Sequence, residues 1–244
     1  MNRQDDIDLS HRGYHLRINS ELGADNGRRL LDDILDNTIE YQRVFKDHAR
    51  TLSVRVDFDQ KDLLLKVPRA RNRRGWERML TLFRSSEGLR TFQNLKRIRQ
   101  LGFFAPTPVL AAEKRRFGMV TDSLVCYEFA EGRPAADEDA PQVLEALREL
   151  HSLGAIRTDP QPANFLISDD RVIFIDFRLK IPRILGSLRT DLELAKFLRV
   201  FPAARHHLPQ AKMRSASFRR AEWLERRIHQ FREQRRALKR RLTR

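Results

Sequence analysis

The apolar positions change period several times along the chain, and each change marks an element. Residues 1–26 are polar and follow no period. Leu30, Leu31, Ile34 and Leu35 then recur at helical spacing, with Asn26 placed to cap the helix. From residue 41 to 67 the period becomes two. Val44 and Phe45 open it, Leu52, Val54, Val56 and Phe58 alternate, and 63–67 is an apolar run broken by Lys66. Breaks at 46–50 and 59–62 divide this stretch into three antiparallel strands. Residues 69–101 return to the helical period through Trp76, Met79, Leu80, Phe83, Leu89, Phe92, Leu95 and Ile98. Gly102 ends that helix, and Pro106 and Pro108 predict an extended link. Residues 109–112 and 119–129 predict two more strands around a charged turn at 113–118. Gly132 and Pro134 mark a boundary.

Beyond the boundary the pattern predicts a helix over 143–153, stopped by Gly154, with Leu144, Leu147 and Leu150 inward. Short strands follow at 165–167 and 172–177 around a turn at 168–171. A basic loop then covers 178–189, and a helix runs from Asp191 to about Val200. The reading is an α+β chain: a polar N-terminal segment (1–26), a five-stranded, mostly antiparallel unit with helices (27–131), a mainly helical unit (132–212) and a C-terminal segment (213–244). In that last segment Leu224, Ile228, Phe231, Leu238 and Leu242 recur at helical spacing with arginines between them, predicting a basic amphipathic helix. It either packs on the domain or contacts an anionic surface.

Candidate chemistry changes the picture most in the second half. Lys66 interrupts an apolar strand, as either a solvent-facing lysine or a cation held to meet an anion. Asp159 and Asn164 sit in a loop with two prolines, between a helix end and a short apolar strand. Alone they read as turn residues. The hairpin that follows, however, ends on Asp176 after an apolar run, where an unpaired carboxylate would be costly and a divalent cation would supply a partner. Lysine in a third strand, then Asp-x4-Asn, then a hairpin and Asp is the order of parts for phosphoryl transfer in a protein-kinase-like architecture. Lys66 would neutralise the nucleotide phosphates, Asn164 and Asp176 would offer hard oxygens to Mg²⁺, and Asp159 would accept the proton of the attacking hydroxyl.

With Leu150-His151-x-x-Gly154, Asp159-Pro160-x-x-x-Asn164-Phe165, Ile175-Asp176, Leu64-Leu65-Lys66-Val67 and Tyr127-Glu128-Phe129-x-x-Gly132, the chain resembles the lipopolysaccharide core heptose kinase family, on the WaaY/RfaY-like heptose(II) branch, from about residue 30 to 197. The resemblance implies a two-lobed kinase-like fold, ATP and Mg²⁺ as cofactors, and transfer of the γ-phosphoryl to a heptose hydroxyl of the inner core. It also implies that Glu128 lies in a nucleotide-binding hinge and that a helix glutamate pairs with Lys66, with Glu87 the nearest candidate and Glu77 the other. Departures from the pattern are a glycine-free loop at 46–50, Arg157 rather than His ahead of the aspartate, with Thr158 after it, and Phe177-Arg178 after Asp176. Asp191 is read either as a helix N-terminal carboxylate or as an acceptor for the catalytic loop. His151 is expected to hydrogen-bond in the core, Cys126 to be buried and inert, and His206 and His207 to form no metal pair.

Charge and composition narrow the setting. The chain has 244 residues and a formal net charge of +15, with a mean hydropathy of −0.59. No run of 18 apolar residues and no apolar leader occur, and Cys126 is the single cysteine, so a cytoplasmic location is expected. Residues 213–244 hold 12 Lys+Arg against three Glu, so most of the excess is in the tail. Arg69, Arg71, Arg73, Arg74 and Arg78 form a second basic stretch. The expected partners are ATP, an anionic glycolipid acceptor such as lipopolysaccharide core, and an anionic membrane face touched peripherally, with the chain a monomer. No zinc-finger spacing or aromatic-rich RNA-binding signature points to nucleic acid. The alternatives are a non-catalytic kinase-like protein that binds anionic membrane or nucleic acid, and a kinase for Kdo, another heptose, an antibiotic hydroxyl or a protein Ser/Thr.

Overall fold

A computed structural model of the chain describes residues 6–69, 75–182 and 184–242, without the side chains at 76, 77, 236 and 238–242. Arg71, Arg73 and Arg74 of the basic stretch lie outside the described residues, as do the side chains of Trp76, Glu77, Leu238 and Leu242. The chain divides into two compact units, residues 1–130 and 131–244. The α+β class is as expected: an antiparallel-sheet unit precedes a mainly helical one.

In the first unit, strands β1 (Ile7–His11), β2 (Tyr14–Ile18), β3 (Tyr41–His48), β4 (Thr51–Phe58), β5 (Lys61–Val67), β6 (Pro108–Arg116) and β7 (Met119–Glu128) form one sheet in the order β1-β2-β6-β7-β5-β4-β3. All its pairings are antiparallel. The sheet therefore has seven strands where five were expected. The extra pair lies in the supposedly irregular first 26 residues. There Tyr14, Leu16 and Ile18 are buried and alternate with half-buried His15 and Arg17. Arg12 and Gly13 make the turn with φ of 50° and 78°, the left-handed pair a two-residue hairpin needs.

Helix α1 (Ala24–Leu35) covers one face of this sheet. Its N-cap is Gly23, not Asn26, whose side chain donates to the Leu22 carbonyl at 3.1 Å. Leu30 and Leu31 join Leu16, Ile18, Val54, Val56, Leu63, Leu65, Leu110 and Cys126 in the core. Each such residue removed from water contributes about 1.5–3 kcal/mol. The helix expected over 69–101 is interrupted. It comprises α2 (Gly75–Leu80) and α3 (Glu87–Gln100), because Ser86 caps α3 by accepting from Leu89 N at 3.2 Å. Leu89, Phe92, Leu95 and Ile98 of α3 are buried, and α3 packs on β6 and β7.

The second unit contains β8 (Arg133–Pro134), α4 (Ala140–Ser152), β9 (Ile156–Arg157), β10 (Phe165–Ser168), β11 (Arg171–Phe174), β12 (Leu179–Lys180), α5 (Gly186–Val200), α6 (Gln210–Arg214) and α7 (Ala216–Leu242). Two small sheets, β11-β10-β8 and β12-β9, accompany the helices. Phe165, Phe174, Phe197 and Phe201 meet edge-to-face at centroid distances of 5.3–6.1 Å. The expected strand 172–177 stops at Phe174, and α5 starts at Gly186, so Asp191 lies inside the helix rather than at its opening.

The N-terminal half of α7 is packed, not free. Phe218 and Ala221 are fully buried, α7 contacts α5, and Arg199 Nε donates to Glu225 at 3.1 Å. Further along, Leu224 and Ile228 are half-buried, while Trp223 and Phe231 are 57% and 61% exposed. No described helix is long and apolar enough to cross a membrane.

Candidate active site

The loop between α4 and β10 is assembled by short-range pairings. The β9–β12 ladder fixes its start, with Leu179 opposite Arg157, and Thr158 N donates to the Arg178 carbonyl at 3.2 Å. A 3-10 turn at Pro162–Asn164 fixes its end. Phe165 then pairs with Phe174 across the β10–β11 hairpin, whose turn residues Asp169 and Asp170 both have positive φ. The hairpin closes on a hydrogen bond from Ile175 N to the Asn164 carbonyl at 3.1 Å. Asn164 and Asp176, twelve positions apart in sequence, thereby flank one short ladder.

Arg157 is the keystone of this loop, at 1% exposure. Its guanidinium carbon lies 4.0 Å from the Phe165 ring centre and 5.6 Å from that of Phe174. Nη2 donates to the Asp159 carbonyl at 2.7 Å, Nη1 reaches the Asn164 carbonyl at 3.4 Å, and Nε has no partner among the described residues. Burial pushes the guanidinium down to about 10, with Glu193, Asp159 and Asp176 drawing it the other way. Glu193, itself buried, accepts from Arg157 N at 2.9 and 3.0 Å and contacts His151 Nε2 at 3.1 Å. His151 is thus the hydrogen-bonding residue expected.

Asp191 does not accept from this loop. Its carboxylate is buried and holds Ser217 Oγ at 2.5 Å and the Lys212 ammonium, fastening α6 and α7 to α5. Glu193, two residues along the same helix, meets the loop instead.

Asp159 is held by a residue that the sequence did not single out. Lys196 Nζ of α5 donates to Asp159 Oδ1 at 3.0 Å and to the Thr158 carbonyl at 3.1 Å. Gln161 Nε2 also reaches Oδ1, at 3.3 Å. The side chain remains 44% exposed, so a carboxylate with acceptor capacity to spare faces solvent. In sequence Lys196 is one of many helix lysines, and only its spacing of three from Glu193 places both on one face.

Asn164 Nδ2 donates to the Asp159 carbonyl at 3.0 Å. That bond fixes the amide orientation and commits the nitrogen end, leaving Oδ1 as the outward acceptor. The buried strand end expected for Asp176 is not found. Asp176 is exposed, at φ 49°, and Phe177 is the buried neighbour. The backbone twist turns the carboxylate out and the ring in, a strained arrangement of the kind stored at functional sites. One amide oxygen and one carboxylate are a hard-oxygen set that fits Mg²⁺, which takes few protein ligands and completes its shell with phosphate and water. No cluster of three His, Cys, Asp or Glu suited to a metal occurs among the described residues.

In the first unit, Lys66 is half-buried, pairs in register with Ser53 and Val125, and lies 5.6 Å from the Tyr127 ring centre. Its neighbour Leu65 belongs to the α1-side core, so alternation puts Lys66 on the face that α3 covers. Glu87 opens α3 and pairs with Arg90. Gly88 lets that end of the helix touch β7: a Cβ there would lie 2.3 Å from the Leu124 carbonyl oxygen. Glu128 has an exposed side chain, its amide donates to the Thr107 carbonyl at 2.9 Å, and Phe129 N donates to Asp62 O at 2.8 Å. Phe129 stacks on Phe45 at 5.7 Å. At the glycine-free β3–β4 turn, His48 Nδ1 accepts from the amides of Arg50 and Thr51, both at 3.2 Å. Cys126 is fully buried, which raises its thiol pKa.

Comparison with known proteins bears out the family resemblance. The model of the lipopolysaccharide core biosynthesis protein (WaaY) family matches residues 10–201. The lipopolysaccharide core heptose(II) kinase WaaY of Escherichia coli (strain K12) is 25% identical over 154 residues, 60% of this chain and 66% of that protein, just under two thirds of its length. Among solved structures, WaaP in complex with acyl carrier protein is similar at a TM-score of 0.45 and 16% identity, covering 79% of this chain and 82% of that one. The Mycobacterium tuberculosis PknI kinase domain is similar at a TM-score of 0.42 and 16% identity, covering 68% of this chain and 75% of that one. With the family model matched over most of its length, the chain belongs to the lipopolysaccharide core biosynthesis protein (WaaY) family.

Proposed function

We propose that the chain is an ATP-dependent phosphotransferase whose acceptor is a heptose hydroxyl of the lipopolysaccharide inner core. The observation that carries the reading is the Asp159 carboxylate, clamped through Lys196 and exposed on the loop whose other end presents Asn164 and, across the hairpin, Asp176. Family membership and the name of the Escherichia coli relative support the acceptor class.

In this reading Asp159 accepts the proton of the sugar hydroxyl as its oxygen attacks the γ-phosphorus, and ADP leaves. Asn164 and Asp176 would hold Mg²⁺, which supplies charge neutralisation on the phosphate oxygens when bound. Lys66 would bind the nucleotide phosphates, with Glu87 orienting it from the start of α3. The two hinge amides nearest Glu128 are already bonded, so Glu128 and Phe129 would meet a nucleobase through carbonyl oxygens and the Phe129 ring. A lipid acceptor would put the protein on the cytoplasmic side of the inner membrane, where the distal, arginine-rich part of α7 would touch anionic headgroups.

The test is phosphoryl transfer from ATP to defined core oligosaccharides, read by mass spectrometry, with and without Mg²⁺. One added phosphoryl group on a heptose, lost in Asp159→Asn, is the expected result. Failure of every heptose-bearing acceptor, alongside transfer to another hydroxyl class, would overturn the acceptor assignment.

A further inference from the structure

The β6–β7 hairpin turns through Phe117 and Gly118, with φ of 51° and 75°. Two left-handed residues are what a tight two-residue turn needs, and Asn-Gly is the least strained choice. An aromatic residue in the first position is strained. Burial within the unit does not offset that cost, because the Phe117 side chain is 81% exposed.

Three other large apolar side chains share this end of the unit. Met79 is 53% exposed, Leu82 48% and Phe83 91%. Their segment is pinned to the hairpin. Arg115 Nη1 donates to the Thr81 carbonyl at 3.0 Å and to the Gly118 carbonyl at 2.7 Å. Val120 N donates to Thr81 Oγ1 at 2.8 Å. Glu113, buried beneath, accepts from Arg115 Nε at 2.6 Å and from Ser86 N at 3.0 Å. A Cβ on Gly118 would lie 3.1 Å from Leu82 Cδ2. The two apolar tips are therefore parts of one fixed platform, not two loose loops.

Its exposed charge is mainly cationic. Residues 78–84 and 114–121 carry Arg78, Arg84, Lys114, Arg115 and Arg116, while the flanking acids of the hairpin are engaged, Glu113 with Arg115 and Asp122 with the Tyr14 hydroxyl at 2.7 Å. Arg116 lies over the Phe117 ring at 5.3 Å. Exposed aromatic and aliphatic tips ringed by cations match the interface of an anionic bilayer, where the rings enter the headgroup region and the guanidinium groups stay at the phosphates. We propose that this platform is a membrane-docking surface of the first unit, inserting Phe83 and Phe117 into an anionic lipid leaflet. The proposal rests neither on the phosphotransferase assignment nor on the tail.

The test uses the full chain, tail intact, and sedimentation with phosphatidylcholine vesicles with and without phosphatidylglycerol. Phe83→Ser with Phe117→Ser should cut partitioning onto anionic vesicles by about tenfold. Arg116→Glu should weaken it on anionic vesicles only. Phe117→Trp should add an indole emission that shifts to the blue on vesicle addition, beyond the wild-type change. Phe117→Asn should raise Tm by about 2–4 °C while weakening binding, since it relieves the turn and removes the anchor. Transfer to a water-soluble acceptor should be unchanged in all four variants. Wild-type binding by the double serine variant would overturn the proposal. So would a wild-type dimer that the same variant converts to monomer, which would make the patch a contact between copies.

Discussion

Lys196 Nζ lies 3.0 Å from Asp159 Oδ1, so the carboxylate assigned to the acceptor hydroxyl is held by a cation from a helix 37 residues further along the chain. The same ammonium binds the Thr158 carbonyl at 3.1 Å, which fixes the backbone as well as the side chain. Lys196→Met should lower kcat by about 10–10²-fold with a small change in the KM for ATP, and Lys196→Arg should recover part of the loss. In an Asp159→Asn background, itself down by about 10²-fold or more, Lys196→Met should cost little further, because it acts through the group already removed. Steady-state kinetics on wild type, Lys196→Met, Lys196→Arg, Asp159→Asn and the double variant measures this, and full additivity would break the link.

Arg157 supplies a pH signature. Its guanidinium is depressed to about 10 in the folded chain by burial, well below the ordinary arginine range. Below about pH 10 both states are charged and the folded state bears the full cost of the buried charge. From about 10 up to the ordinary arginine range the unfolded chain binds the extra proton, so this group's contribution to stability rises with pH. Urea unfolding of wild type and Arg157→Met should therefore show a stability difference that moves in favour of wild type as pH climbs through about 10. A pH-independent difference would mean that the guanidinium does not titrate there.

Gly88 tests how α3 is placed. A Cβ at this position would lie 2.3 Å from the Leu124 carbonyl oxygen, backbone that cannot step aside. Gly88→Ala should cost about 1–3 kcal/mol by chemical denaturation. It should also weaken nucleotide binding, if Glu87 on the same turn orients Lys66. Glu87→Gln should weaken nucleotide binding in a chain of near-normal stability. Lys66→Ala should lower kcat in a chain that stays folded. Unchanged kcat and ATP affinity in Lys66→Ala would make it a structural lysine.

What was legible in the sequence follows from what kind of signal each feature leaves. Alternation at Leu52, Val54, Val56 and Phe58 and the helical spacing of Leu89, Phe92, Leu95 and Ile98 report burial on one face, and both are found buried. The Asp159–Asn164–Asp176 order was readable because a hairpin makes sequence spacing into spatial proximity. The β1–β2 pair carried the same alternation in Tyr14, Leu16 and Ile18, but charged and polar outward residues at every other position disguised it. Glu193 and Lys196 left no local signal, since a helix face bearing Glu and Lys reads as solvated until the loop it touches is known. Asp176 misled for a backbone reason: an apolar run predicts burial for what ends it, and a φ of 49° turned the carboxylate outward instead.

The tail separates packing from charge along a single helix. Up to Glu225, α7 is packed into the second unit: Phe218 and Ala221 are fully buried, Ser217 bonds Asp191, and Arg199 pairs with Glu225. Truncation after Lys212 removes all of these, exposes the α5 face and leaves Asp191 without Ser217. Loss of one buried Phe alone costs about 3–5 kcal/mol, so this protein should not hold a folded second unit. Truncation after Gln230 is a different experiment. It removes seven Lys+Arg and one Glu and leaves the packed half intact, so thermal unfolding should stay close to wild type. At about 1 kcal/mol for each basic residue near an anionic surface, decaying within a Debye length, the shortened chain should bind phosphatidylglycerol vesicles more weakly and with a shallower salt dependence. It should keep activity on a water-soluble acceptor. Vesicle binding equal to wild type, with the same salt dependence, would confine membrane contact to surfaces other than the distal tail.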